Sequence, residues 1–298
     1  MSTTDVIAMK STKKQKERSF WGDVFLQLQK NKMAMASLII LILLVLASIF
    51  VPIISPFDII TTNTDNVRQA PDAVHWLGTD DLGRDMLTRF FYAGRISLSI
   101  ALSATVLTCI VGVVLGGISG YYGGIMDSII MRITEAFLSI PFLLACIAVA
   151  GLIGNSIPTL ISIFTILSWA GLARIVRGQI LGLRDLEYMQ ACEALGISDA
   201  RRIFKHLLPN VMAYVIVFAT INMAGIILTE AALSFLGLGV NPPTPTWGNM
   251  IQAARARAVL QERWWYWIPP GIAIFVAVMC FNLLGDGLRD AIDPKMKR

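Results

Sequence analysis

A chain of 298 residues, 55% of them hydrophobic and only 15% charged, is too apolar for an ordinary soluble domain, and its mean hydropathy of +0.66 says the same. An all-α, polytopic membrane protein is expected, and the formal charge of +5 then describes loops beside anionic lipid rather than a nucleic-acid partner. Cys109, Cys146 and Cys280 fall in apolar segments and Cys192 in a polar loop, so no disulfide framework is implied.

Residues 1–32 read as a cytosolic tail, Lys-rich and unstructured to about 18, followed by an interfacial elbow helix whose apolar face is Phe20, Trp21, Val24, Phe25 and Leu28. The stretch that follows is too long for the core of a signal peptide and lacks a small-residue cleavage site, so it reads as an anchor. Crossing a bilayer core of about 30 Å takes about 20 apolar residues. Six stretches qualify, at 33–54, 97–117, 133–153, 157–176, 211–238 and 270–288, so 33–298 reads as one transmembrane domain. Pro141 and Pro158 interrupt the third and fourth, which spanning helices tolerate when neighbours satisfy the freed carbonyls.

Lys and Arg set the orientation. With the N-terminus inside, 18 of the 25 fall on the inner side and seven outside. Both termini and the 183–210 loop are then cytosolic, while 55–96 and 239–267 are outer loops. Trp264, Trp265, Tyr266 and Trp267 fall where an outer aromatic belt belongs. Residues 78–85 have the carboxylate density of a calcium loop without its spacing, so helix capping and pairing with Arg84 are expected there instead.

The 183–210 loop, LRDLEYMQACEALGISDARRIFKHLLPN, is polar yet patterned like folded structure. Asp185 is placed to cap a helix running to about Leu195, Gly196 to end it in the left-handed region, and Ser198 to cap a second helix ending by Pro209. Tyr188, Ala191, Cys192 and Leu195 form one apolar stripe; Ala200, Ile203, Phe204, Leu207 and Leu208 form another. A DNA-binding helix-turn-helix would share this pattern. Tethering to membrane spans at both ends argues against it and favours a surface that docks another protein.

Ionisable residues within spans are functional candidates by default. Glu230 is the clearest, and Asn222, Thr229 and Asn282 could line a polar path or glue helices together. Glu135 and Asp286 lie near the inner surface. No phosphate-cradling G-x-x-x-x-G-K-[ST] and no H-E-x-x-H occur, and His75 and His206 lie on opposite sides of the membrane, so an enzyme is not expected.

Several stretches carry a resemblance. Gln190-Ala191-Cys192, Gly196 and Leu208-Pro209 resemble the EAA loop of ABC-importer permeases. LGTDDLGRDMLTR at 77–89, GYYGGIMDSIIMR at 120–132, LSFLGLGVNPPTPTWGNM at 233–250 and NLLGDGLRDAIDPKMK at 282–297 are similar to the C-type, second-subunit branch of the dipeptide/oligopeptide permease family. The resemblance implies the type I ABC-importer permease fold. It also implies a homologous second permease as heterodimer partner, two cytosolic ATPase subunits that hold the ATP and Mg, an extracytoplasmic solute-binding protein, and a home in a bacterial or archaeal cytoplasmic membrane. Gln190, Ala191, Cys192, Leu195, Gly196 and Asp199 would then meet the ATPase. Gln190 and Cys192 depart from the family pattern, where Glu and Ala are usual. Similar permeases serve peptides, glutathione, nickel or metallophores and oligosaccharides. The rival of another class, an ion-coupled secondary transporter, needs an intramembrane acid-base pair, and Glu230 has no evident partner.

Overall fold

A computed structural model describes residues 20–292; the Lys-rich tail and the last six residues lie outside it. Twelve α-helices account for the architecture among the described residues: α1 (Phe20–Lys30), α2 (Lys32–Ile54), α3 (Met86–Tyr122), α4 (Gly124–Ser139), α5 (Phe142–Ile153), α6 (Ile157–Arg184), α7 (Glu187–Ala194), α8 (Asp199–Arg202), α9 (Leu208–Phe235), α10 (Trp247–Gln252), α11 (Arg257–Glu262) and α12 (Ile268–Ile292). Their order matches the all-α membrane fold expected from composition.

Among the described residues, five helical stretches are long and apolar enough to cross a membrane: α2, α3, α6, Asp199–Phe235 and Trp264–Ile292. The third expected span is corrected. It is two helices, α4 and α5, that meet at 88°. Pro141 forces the break, because it has no N–H to give the helix and pushes Ile140 into an extended conformation at φ −91°, ψ 128°. Pro158 interrupts nothing: it sits in the first turn of α6, where its missing N–H is not needed.

Helices α3 and α6 form the centre of the bundle and run parallel. Gly112 faces Leu172, Gly116 faces Ala173 and Val176, and Gly120 faces Arg177 and Ile180. Glycines four apart open a groove on α3 into which α6 settles, the close approach that small residues permit between helices in lipid. Two parallel helices start on the same side, so the bent pair α4–α5 must carry the chain back across between them. Six crossings follow. Ser55 at the end of α2 bonds Thr88 at the start of α3 at 2.6 Å, and Gly287 near the end of α12 abuts Ala34 near the start of α2. Both ends of the described chain therefore lie on one face, together with the 183–210 loop.

Helix α1 exists where expected, but its apolar face is not simply a lipid face. Val24 and Leu28 are buried, and Leu28 lies beside Gly287 of α12. Phe25 on the same helix is exposed.

The opposite face is built from the two loops 55–96 and 239–267. Asp85 caps α3 by accepting the Thr88 amide at 2.8 Å and lies in hydrogen-bond contact with His75 Nδ1 at 2.9 Å; Asp80 binds Arg84 Nε at 2.7 Å. Capping and Arg84 pairing are thus what this acidic stretch does. Asp81 joins the loops, with Arg68 Nε at 2.6 Å and Arg263 at 3.5 Å. In the same loop, the amides of His75 and Val74 donate to Asp72 and hold its carboxyl below the ordinary aspartate range. The expected aromatic belt is only half a belt. Trp264 is exposed, whereas Trp265 and Tyr266 are buried against the protein, with Trp265 beside Gly78.

Candidate functional site

The 183–210 loop is a compact unit clamped to the ends of α3 and α6. Met189 is the one buried residue of helix α7, 3% exposed and in a cluster with Leu207 and Val211. The apolar stripe of α7 faces outward, away from Met189: Leu195 is 79% exposed, Tyr188 and Ala191 are also exposed, and Cys192 is half-buried. Gly196 takes φ +70°, and the turn closes with Gly196 N donating to Glu193 O at 2.9 Å and Ile197 N to Cys192 O at 3.0 Å. Those two bonds define a Schellman end, which is why glycine belongs there.

Three local expectations fail. Asp185 does not cap α7: it ends α6, its side chain 3.6 Å from Arg184 Nε, while Leu186 occupies the capping position without a side-chain bond. Gln190 Nε2 reaches back to the Asp185 carbonyl at 3.2 Å instead. Pro209 does not end the second helix either. The chain is helical from Asp199 to Phe235 because a π-turn at Ile203–Leu207 lets Leu208 N bond Ile203 O, absorbing the proline into the first turn of α9. Ser198 stands at the capping position of α8 but makes no side-chain cap.

Arg202 ties the loop to the bundle. It binds Asp199 at 2.6 Å and Glu193 at 3.2 Å and lies 5.7 Å from the ring centroid of Tyr121, whose hydroxyl donates to Asp199 at 3.0 Å. Arg184 donates to the Tyr121 carbonyl at 3.1 Å. Neither clamp is visible in the sequence, where nothing in the spacing relates Tyr121 to Arg184 or Arg202, 63 and 81 residues on. The result is a rigid ledge bearing Leu186, Tyr188, Leu195 and the 70% exposed Phe204 on its free side. Exposed apolar residues on a structured, charged ledge form a surface suited to a protein partner.

Within the membrane, a groove of about 530 Å³ runs between the α4–α5 break, α6 and α9. Asn222 and Thr229 line it, as does Ser168. Asn222 also donates to Thr105 of α3 at 3.1 Å, so it both faces the groove and joins helices. Glu230 is elsewhere. It is 1% exposed and accepts from Ser234 at 2.7 Å and Ser97 at 3.3 Å, while Ser97 also accepts the Trp247 amide at 3.2 Å. A carboxylate so enclosed knits α9, α3 and α10 together and does not open onto the groove. Asn282, half-buried on α12, is not among the groove's lining residues. No cluster of metal-ligating side chains occurs among the described residues.

A family model described as "binding-protein-dependent transport system inner membrane component" matches residues 112–298. The chain belongs to this family. A second model, the N-terminal TM domain of oligopeptide transport permease C, matches residues 19–71 of the permease. The oligopeptide transport system permease protein OppC of Bacillus subtilis is 42% identical over 95% of this chain and 92% of its own length. The dipeptide transport system permease protein DppC of the same organism is 41% identical over 94% and 87%. The glutathione transport system permease protein GsiD of Pectobacterium atrosepticum is 36% identical over 100% and 97%. The chain is thus a multi-pass permease of the ABC-importer type, a transport subunit rather than an enzyme.

Proposed function

We propose that this permease forms half of the membrane pathway of an ATP-driven importer for dipeptides and oligopeptides. The observation that carries the reading is the 41–42% identity, over nearly the whole chain, to permeases named for oligopeptide and dipeptide transport. A homologous second permease covers the groove between α4, α6 and α9, two ATPase subunits that bind ATP and Mg sit under the 183–210 ledge, and a solute-binding protein delivers cargo to the loops 55–96 and 239–267. The excess of Lys and Arg on the ledge side supports a cytosolic placement of that face, of residues 1–32 and of both termini.

The ledge transmits work because it is stiff. ATP binding moves the soluble subunits, and a helix closed at its end by the Gly196 turn and held by Met189 and Arg202 passes that movement to α6 and α9 as a rigid body rather than flexing. Gln190, Ala191, Cys192, Leu195, Gly196 and Asp199 make up the contact region. Deleting this chain should abolish uptake of labelled tripeptide by cells, and restoring it should return uptake. Uptake of glutathione alone, with no competition from tripeptides, would replace the peptide assignment.

A further inference from the structure

A second cavity, of about 630 Å³, continues the groove towards the ledge side, lined by Asp127, Met131, Arg132, Glu135, Arg174 and Arg177. The two cavities lie in series because α4 and α6 pack antiparallel, with Phe137 on Trp169 at 5.5 Å at one level and Asp127 on Arg177 at 2.5 Å further along. Leu138 and Gly171 line the upper cavity; Glu135 and Arg174, one turn on, line the lower.

The lower cavity holds three guanidiniums and two carboxylates. Asp127 takes Arg177 through two bonds, at 2.5 and 2.6 Å, and Glu135 pairs with Arg132 at 3.2 Å. Arg174 makes no salt bridge or side-chain hydrogen bond with the described residues. Its charge is left over, on the wall of a polar cavity, directly below a groove whose polar lining is neutral. We infer that Arg174 receives the terminal carboxylate of the peptide as it leaves the groove, an assignment that rests on the peptide-import reading above.

Charge and geometry support a solute over a lipid headgroup. At about 100° per residue, Met131, Glu135 and Leu138 share one side of α4, while the exposed Ile125, Ile129 and Ile133 lie on the opposite side. The apolar stripe is the one suited to lipid, so the cavity faces away from it. A carboxylate passing the upper groove meets only the amide of Asn222 and the hydroxyls of Thr229 and Ser168; the unpaired cation it meets next is Arg174. A charge-assisted hydrogen bond there lowers the cost of desolvating the carboxylate. Arg174 remains exposed, which keeps the bond weak enough for release into the cytosol.

The test uses the complete transporter, with its second permease, ATPases and binding protein, in vesicles of either phosphatidylcholine or phosphatidylcholine with phosphatidylglycerol. Trialanine uptake and ATP hydrolysis are measured together. Arg174→Gln should lower peptide moved per ATP by about two- to fivefold in both lipids, as expected for losing an exposed charge pair, while Arg174→Lys keeps most of the wild-type value. Unchanged coupling in the Gln variant overturns the assignment. So does equal damage from Lys, which would indicate packing, or a loss confined to phosphatidylglycerol vesicles, which would indicate a lipid headgroup. If the wild-type complex moves no peptide at all, the import reading itself fails and takes this one with it.

Discussion

Gly116→Ala tests the α3–α6 seam. A methyl at that position meets Ala173 Cα and Val176 Cβ, both at 2.9 Å, and the Ala173 carbonyl closer still. Ordinary carbon contacts are about 3.5–4.0 Å. Two of the three atoms are backbone, so no rotamer change relieves the clash and the helices themselves must part. Overpacking of this kind costs roughly 3 kcal/mol at the upper end of its usual range, and the gain in helix propensity offsets about 1. A net loss of about 2 kcal/mol is expected. Gly178→Ala on α6 is the control, since nothing lies within 4 Å of its added methyl; that variant should gain up to about 1 kcal/mol from propensity alone. The assay is the temperature at which half of the detergent-solubilised transporter remains monodisperse. The two variants should move it in opposite directions. A Gly116→Ala complex as heat-stable as wild type would refute the close-approach argument and, with it, the parallel seam that fixes six crossings.

Three further outcomes concern Glu230, Asp85 and the ledge. Glu230→Ala strands the Ser97 and Ser234 hydroxyls, a cost of roughly 1–3 kcal/mol, so assembled complex and uptake should fall together; normal assembly with selectively slowed uptake would instead return Glu230 to the path. Asp85→Ala removes the α3 cap and the His75 partner at once, and impermeant labelling of a cysteine at residue 74 in the adjoining loop should change as that loop loosens; identical labelling kinetics would show that the loop holds without Asp85. Gly196→Ala places a side chain at φ +70° with open space around it, so only backbone strain of about 1–2 kcal/mol acts. Reduced coupling in an assembled complex is expected, and full coupling would mean the turn does not bear on docking.

Much of this fold was legible in the sequence because hydropathy and length dominate in a membrane, and five of the six expected stretches became continuous spanning helices. Pro141 was visible too, but a proline in an apolar run is compatible with either a kink or a full break, and only the extended Ile140 before it decides. The α3 glycines at 112, 116 and 120 were a signal present in the sequence whose partner, α6, only the fold reveals. At the ledge, Gly196 was readable because a positive φ leaves glycine little competition. The facing of α7 was not. Periodicity identifies an apolar stripe but not whether it is a core or a docking face, and here a single methionine one position off the stripe supplies the anchor. Asp185 and Pro209 are both local boundary signals with two readings: Asp185 closes α6 instead of opening α7, and Pro209, a helix stop in the sequence, fits the first turn of α9.

If the ledge couples ATP hydrolysis to transport by seating in the ATPases, Ala191→Arg should break that coupling. Ala191 is exposed between Tyr188 and Leu195 on the free side of α7, so the permease should fold and pair with its sister subunit unchanged. An unpaired guanidinium forced into a close-packed, desolvated contact costs several kcal/mol, enough to displace a partner. The measurement is co-purification of the ATPases with the variant, paired with thiol crosslinking from native Cys192 to cysteines placed in the ATPase. Lost ATPase recovery and lost uptake are expected in Ala191→Arg, with a wild-type crosslink that varies with nucleotide. Full recovery and undiminished transport, with no crosslink from Cys192 under any nucleotide condition, would contradict it.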